Sequence, residues 1–176
     1  MKKIFTLIIS VLLFMSFTSC SKHPAEEPVN KMMECIFNED VQLITSYVDS
    51  FTYEVPSLPD ILKDELRKNC TYSVGEITKE KKTEFVSITI TSFSAKNTLA
   101  SAEDKISIVS LKMAGEKLTD KYSEEILSAY KDAINENIGT KTAVTLTIPV
   151  RKLGKNKVCI IGEELSAQLM NAIYGQ

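Results

Sequence analysis

The sequence predicts an α+β protein with N-terminal helices and an antiparallel sheet. Two stretches, residues 85–93 and 140–153, alternate apolar and polar side chains, as strands with one buried face do. Between them, residues 95–137 change to helical spacing, and further helical stretches begin and end the domain. The resulting order is helices, hairpin, helices, hairpin, helix. Because a hairpin pairs neighbouring strands in opposite directions, this order indicates an antiparallel sheet of two hairpins separated by a helical segment.

The N-terminal segment has the layout of a secretory signal peptide. Lys2 and Lys3 form a basic start, and residues 4–14 are largely apolar. A helix that spans a membrane needs about 20 apolar residues, so this run is too short for a permanent span. We therefore expect an exported protein.

Residues 17–20, Phe-Thr-Ser-Cys, resemble the lipobox of bacterial lipoproteins, in which an apolar residue and two small residues precede a cysteine. Thr18, Ser19 and Cys20 match this pattern, whereas Phe17 stands where the family usually has Leu, Val or Ile. The resemblance implies that the Cys20 thiol receives a diacylglyceryl group and that cleavage leaves Cys20 as the N-terminus. Two or three acyl chains would anchor the protein stably on the non-cytoplasmic side of a bacterial membrane, in the cell envelope. The alternative is an ordinary secreted protein in which Cys20 has no such role.

These expectations divide the chain into a cleaved signal peptide (residues 1–19), a lipidated cysteine with a polar tether (20–27) and a single α+β domain (28–176). The mature chain of 157 residues (176 minus 19) has about the size of one domain. His23 lies in the tether, where a flexible site favours neither metal binding nor catalysis.

Composition and motifs argue against several functional classes. The mature chain would carry 19 Lys+Arg and 23 Asp+Glu, since Lys2 and Lys3 account for two of the 21 basic residues. No basic stripe with interleaved aromatic residues is present, so nucleic acid is not an expected partner. The sequence has no GxSxG motif, P-loop or glycine-rich nucleotide fingerprint. We expect no cofactor, no metal and no catalytic residues.

Three cysteines remain in the domain: Cys35, Cys70 and Cys159. None belongs to a CxxC motif and none has a nearby histidine, so a zinc site is not expected. Their surroundings indicate buried thiols that pack as small hydrophobic side chains. The alternative is one disulfide among the three, which an oxidising compartment permits.

Three helices are predicted before the first strand. The first begins near Pro28, and its apolar face comprises Val29, Met32, Met33, Ile36 and Phe37. The second is capped by Asp40, and its inner side comprises Val41, Ile44, Tyr47 and Val48. The third covers residues 60–68 with Pro59 in its first turn, and its apolar side comprises Ile61, Leu62 and Leu66.

The first hairpin joins residues 70–77 to residues 85–93. The charged run Lys79-Glu80-Lys81-Lys82 between them fits an exposed turn, and near a membrane its lysines could also contact anionic lipid headgroups.

The long helical stretch divides into two predicted helices. Ser101 and Asp104 form a capping-box pattern, followed by the apolar residues Ile106, Val109 and Met113. Ser123 is expected to cap a second helix that stops at Gly139. The predicted inner face of this second helix comprises Ile126, Leu127, Tyr130 and Ile134.

The second hairpin joins residues 140–153 to residues 158–161 through a turn at residues 154–156. Pro149 cannot donate a ladder hydrogen bond, which predicts an edge position or a bulge. A final helix at residues 163–173 places Leu165, Leu169 and Ile173 on one apolar stripe.

This order resembles the nuclear-transport-factor-2-like, or cystatin-like, domains found in many small bacterial lipoproteins. The resemblance is carried by Phe37-Asn-Glu-Asp-Val41, by Tyr47-Val48-Asp49, by residues 86–91 and by residues 154–160. It departs at Asn156, where the family often has Trp, and at residues 95–137, where the family usually runs from strand to strand. The resemblance implies a curved sheet packed on helices, in lipoproteins of largely unassigned function.

Two hypotheses for function follow. The first is a membrane-tethered domain that binds a small apolar ligand or a protein partner without catalysis, in a cavity between sheet and helices. The second is an isomerase or dehydratase on the same fold, which needs a carboxylate base beside a Tyr hydroxyl. Tyr72 and Glu76, four residues apart on a predicted strand, are the candidate pair.

Overall fold

The computed structural model describes residues 23–52, 54, 56–112 and 120–176. The signal-peptide segment, Cys20, Met113 and the side chain of Val41 lie outside these described residues. The described part is an α+β fold of six helices and one five-stranded sheet. The helices are α1 (Glu26–Phe37), α2 (Val41–Ile44), α3 (Asp60–Asn69), α4 (Ala95–Lys112), α5 (Asp120–Asn137) and α6 (Glu163–Ile173). The strands are β1 (Val48–Asp49), β2 (Thr71–Glu80), β3 (Thr83–Phe93), β4 (Lys141–Leu153) and β5 (Asn156–Ile160).

The sheet has the strand order β1-β5-β4-β3-β2, and both predicted hairpins are confirmed. Strands β2 and β3 are joined by the two-residue turn Lys81-Lys82, and β4 and β5 by Gly154-Lys155. The prediction of a wholly antiparallel sheet is wrong, because β1 pairs with β5 in parallel. Val48, predicted on the second helix, lies in β1 instead. The backbone N–H of Cys159 donates to the Tyr47 carbonyl at 2.8 Å, so β1 satisfies backbone groups that an open edge would leave unpaired.

The helices cover one face of the sheet, and the other face is open to solvent. The covered face holds fully buried apolar residues of β3 and β4, as the alternating pattern predicts: Val86, Ile88, Ile90 and Ile148. Helix α6 packs on β3 and β4, α3 packs on β3, and α1 packs on β5. On the opposite face, Thr89 and Thr145 share a hydroxyl–hydroxyl hydrogen bond at 3.1 Å. One core therefore joins the helices and the sheet.

Helix α1 begins at Glu26, earlier than the predicted start near Pro28. A carboxylate oxygen of Glu26 accepts from the backbone N–H of His23 at 3.1 Å, and His23 Nδ1 accepts from the N–H of Ala25 at 3.2 Å. Ala25 is fully buried. The last residues of the predicted tether therefore belong to the fold. The predicted cap of the second helix is confirmed, because a carboxylate oxygen of Asp40 accepts from the N–H of Leu43 at 3.0 Å.

The predicted starts of the two long helices are wrong. Helix α4 begins at Ala95, and the Ser94 hydroxyl oxygen accepts from the N–H of Asn97 at 3.2 Å as its cap. Ser101 lies inside α4, where its hydroxyl donates to Glu136 of α5 at 2.7 Å. Helix α5 begins at Asp120 and not after Ser123. Ser101 and Ser123 therefore indicated caps at positions where the backbone continues as helix.

The predicted inner faces of α4 and α5 are only partly buried. Ile134 is buried, but Leu127 is 43% exposed, so its predicted inward position is wrong. Several buried residues of the two helices are small: Ala102, Ala129 and Ala133. The cause is tertiary, because α4 and α5 pack mainly on each other, and only α5 also packs on α3.

Pro149 pairs with a neighbouring strand on one side only, as the predicted edge position expects, and the alternative of a bulge there is not found. Strand β4 runs between β3 and β5, and its register with β3 is continuous through the pair Phe85 and Pro149. The pairing between β4 and β5 begins only at Val150. Because β5 does not pair with Pro149, the missing N–H of Pro149 costs no hydrogen bond on that side. The bulge lies instead in β2, where the register shifts between Val74 and Ile77.

Candidate functional site

The candidate catalytic pair of Tyr72 and Glu76 does not form. The bulge between Val74 and Ile77 adds one residue to β2, which breaks the alternation that would place both side chains on one face. Tyr72 turns toward the core and stacks on Phe37, with ring centroids 5.9 Å apart. Glu76 is exposed, next to the inward-facing Ile77.

The Tyr72 hydroxyl is engaged in a structural bond. It donates to Oδ1 of Asn30 in α1 at 3.1 Å, and burial raises the pKa of the phenol above its ordinary value. Tyr72 therefore links the sheet to α1, and no carboxylate in the described part of the chain bonds to it as a catalytic base would.

All three domain cysteines are free and buried, as the buried-thiol interpretation expects. Burial raises the pKa of Cys70 and of Cys159 to about 12. Such thiols are protonated at neutral pH and are poor nucleophiles. Over the described ranges, no group of three or more His, Cys, Asp and Glu residues is arranged to hold a metal ion.

An open depression of about 380 Å³ lies between α6 and the segment that follows β1. Its buried Ser166 hydroxyl donates to the Thr52 carbonyl and accepts from the Thr52 N–H, each at 3.1 Å. The single proton of the hydroxyl is thus used in holding the segment to α6. Because the described lining includes neither His nor Cys, this depression offers contact area and no nucleophile–base pair.

A second candidate lies where the two hairpins end side by side. The pairing of Thr83 with Arg151 and of Lys152 with Lys157 brings both turns to one end of the sheet. We call the basic residues in these turns and at the adjoining strand ends the hairpin-tip surface: Lys79, Lys81, Lys82, Arg151, Lys152, Lys155 and Lys157. All are exposed except the half-buried Lys157.

Two open depressions divide the hairpin-tip surface and share Lys152 and Lys157. The larger, about 890 Å³, lies between the two turns. The smaller, about 450 Å³, lies between the β4–β5 turn and the start of α1, where Pro24 and Glu27 line it. The chain therefore enters the domain beside the basic turns.

Two side-chain bonds hold the hairpins in register at this end. Lys157 Nζ donates to a carboxylate oxygen of Glu84 at 2.5 Å, and Arg151 Nε donates to the Thr83 hydroxyl at 2.9 Å. The hydrogen bond from Lys157 lowers the pKa of Glu84 most, with additional effects from the charges of Lys157, His23 and Lys79 and against a smaller desolvation effect.

Four lysines of the hairpin-tip surface form no ion pair with a described residue: Lys81, Lys82, Lys152 and Lys155. In the described ranges, no carboxylate lies within ion-pair distance of any of them. Elsewhere, Lys31, Lys63 and Lys105 each pair with an acidic residue.

Charge is strongly segregated between this end and the rest of the domain. Residues 79–84 and 151–157 contain seven basic and two acidic residues. Residues 20–176 contain 19 basic and 23 acidic residues, so the rest of this range has twelve basic and twenty-one acidic residues. The hairpin-tip surface is thus a positive region on an acidic domain. The sequence showed the Lys79–Lys82 run, but only the strand pairing joins it to the basic residues of the second turn.

No protein-family model, curated protein or solved structure matches this chain. In the described part of the chain, no helix combines the length and the apolar character that crossing a membrane requires.

Proposed function

We propose that this chain is a bacterial lipoprotein whose α+β domain is held at a membrane by lipid on Cys20 and binds a ligand or protein partner there without catalysis. The observation that carries the proposal is the lipobox-like run at residues 17–20, which follows a basic start and an apolar run of signal-peptide length. The fold supports it, because α1, the first described helix, begins at Glu26, only a few residues after the proposed anchor.

The non-catalytic part of the proposal rests on the side chains. Tyr72 and Glu76 face different ways, and the thiols of Cys70 and Cys159 are buried and protonated. Open depressions beside α6 and at the hairpin-tip surface support binding. We further propose a cystatin-like or nuclear-transport-factor-2-like ancestry for the domain, which the helices packed on one face of a bulged sheet support. The α4–α5 pair would then be an insertion between its hairpins.

Metabolic labelling with a palmitate analogue tests the anchor. Bacteria expressing the wild-type chain should yield a labelled protein in the membrane fraction, and Cys20→Ala should abolish the label. Cys35→Ala is the matched control, because Cys35 is a buried thiol of the domain and its removal should leave the label intact. Label retained in Cys20→Ala would refute the lipoprotein proposal.

A further inference from the structure

We propose that the hairpin-tip surface binds the anionic phospholipid headgroups of a membrane, with the exposed Leu153 inserted at the headgroup–acyl boundary. The membrane is the one to which the proposed lipid on Cys20 would attach the domain, so the inference deepens that function. Lipid anchoring and headgroup binding would then act together and hold the domain in one orientation.

The free lysines supply the attraction. Lys81, Lys82, Lys152 and Lys155 project from two adjacent turns with no carboxylate of the described residues paired to them. Glu84, the acidic residue inside the larger depression, is already paired with Lys157. Anionic headgroups attract such clusters, and the effect falls off within about one Debye length, roughly 8 Å at physiological ionic strength.

Leu153 distinguishes a membrane from a soluble anion as the occupant. It lies beside the β4–β5 turn, 52% exposed, next to Lys152 and two residues before Lys155. A soluble phosphate gains nothing from an apolar side chain among lysines. At a bilayer surface, by contrast, the lysines reach the headgroups while the leucine side chain leaves water.

The position of the N-terminus brings this surface to the bilayer. Two residues, Ser21 and Lys22, separate Cys20 from His23, and the three Cα-to-Cα steps extend at most about 11 Å. Pro24 lines the same depression as Lys152 and Lys155. A lipid on Cys20 would therefore hold the lysines within a distance comparable to the Debye length. The acidic remainder of the domain would face away from the anionic surface.

Vesicle co-sedimentation tests the charge argument without any lipid on the protein. The probe is residues 21–176, which contain every described helix, strand and core residue. We expect binding to phosphatidylglycerol vesicles at low salt, loss of binding as salt is raised, and no binding to phosphatidylcholine vesicles. The variant K81E/K82E/K152E/K155E should bind on the order of a hundred-fold or more weakly, since each lysine near the surface contributes about five-fold.

The matched control is K96E/K112E/K121E/K131E, which makes the same change in net charge at exposed lysines of α4 and α5. We expect its affinity for the anionic vesicles to stay within a few-fold of wild type. Circular dichroism of both variants verifies that they remain folded. Equal losses of vesicle affinity in the two variants would overturn the proposal. A wild-type chain that does not bind anionic vesicles would overturn it as well.

Fluorescence locates the contact, because the chain has no tryptophan. The emission of L153W should shift to the blue on addition of anionic vesicles. L111W, at a residue 78% exposed near the end of α4, is the control and should not shift. A shift of L111W alone would assign membrane contact to the α4–α5 pair and contradict the proposal. Inorganic phosphate at the same phosphate concentration should compete weakly; full competition would indicate a soluble anion as ligand.

These results are separable from those for the lipid anchor. If Cys20→Ala keeps its label but the vesicle experiments succeed, the anchor fails and headgroup binding stands. If labelling requires Cys20 but the protein does not bind anionic vesicles, the lipoprotein proposal stands and headgroup binding fails.

Discussion

Gly175 and Gly154 both have a positive φ, +62° and +63°, but their surroundings differ. A Cβ on Gly175 would lie 2.0 Å from the carbonyl oxygen of Phe93, at the point where the C-terminal turn crosses the end of β3. The Gly175 carbonyl also accepts from the N–H of Ala95 at 2.9 Å. At Gly154 a Cβ would meet open space.

Alanine at these positions should therefore have graded effects on stability. Gly154→Ala adds only the cost of the left-handed backbone, about 1–2 kcal/mol. Gly175→Ala adds a backbone clash to that cost, so we expect a loss above about 2 kcal/mol. Gly139→Ala, at a residue with open space and no positive φ, is the control and should change little. Urea unfolding measures the series, and equal losses for Gly154→Ala and Gly175→Ala would contradict the clash.

The buried thiols make stability depend on alkaline pH. The pKa of Cys70 and of Cys159 is raised to about 12 in the folded state, from an ordinary value of 9.0. Above pH 9 the unfolded chain binds fewer protons than the folded chain, so the free energy of unfolding falls as pH rises toward 12. Each thiol contributes a slope of at most about 1.4 kcal/mol per pH unit.

Urea unfolding at pH 7.5, 9 and 10 in the presence of a reductant measures this slope. The variant C70A/C159A lacks both thiols and should show a shallower decline above pH 9, whatever its stability at pH 7.5. A decline as steep as that of the wild type would show that other groups, such as lysines, cause it.

At the scale of elements, α4 and α5 are held together by small residues and a short polar link. Ala102 and Ala133 are fully buried, which allows close approach of the two helices. Lys105 Nζ and the Ser101 hydroxyl each donate to Glu136 at 2.7 Å across the pair. Farther along α4, Ile108 and Leu111 are 53% and 78% exposed, so the apolar pattern of this helix does not identify its packed side.

A larger side chain at the helix contact should therefore destabilise the protein. We expect Ala102→Leu to lower the free energy of unfolding by about 1–3 kcal/mol, because the added volume forces α4 from α5. Ala100→Leu places the same side chain two residues away on the exposed side of α4, and it should be close to neutral. Urea unfolding compares the two variants. Similar values would show that Ala102 tolerates expansion and that the contact is loose.

At the scale of the whole molecule, one core joins the parts of the chain, from Ala25 before α1 to Tyr174 after α6. Leu66 in α3 and Leu169 in α6 are both fully buried in it. A protein with one continuous core of this size typically unfolds in one cooperative step.

Leu66→Ala and Leu169→Ala should each cost about 2–5 kcal/mol and shift the whole unfolding transition. Far-ultraviolet circular dichroism and tyrosine fluorescence should report the same midpoint in every variant. Leu43→Ala, at a residue 46% exposed, is the control and should leave the midpoint almost unchanged. A midpoint that shifts when measured by one probe but not by the other would indicate two independently unfolding units in place of the predicted single domain.

The sequence by itself determined the α+β class, both hairpins and most helices. Strict alternation in β3 and β4 identifies strands because side chains of a strand point to opposite faces, and Asp40 identifies a helix start because its side chain caps a neighbouring N–H. The final helix matches its predicted bounds, residues 163–173, for the same reason of periodicity. These are local properties that each segment carries with it.

Tertiary structure alone decided which surfaces each segment meets. The bulge that separates Tyr72 from Glu76 and the parallel pairing of Val48 with Cys159 both depend on neighbouring strands. Ile108 and Leu111 of α4 are exposed because that helix packs mainly on α5. The hairpin-tip surface likewise exists only after folding, since strand pairing brings together lysines that are some 70 positions apart in sequence, as with Lys82 and Lys152. Local sequence periodicity determines whether a segment forms a helix or a strand, whereas long-range pairing determines which other segments it contacts.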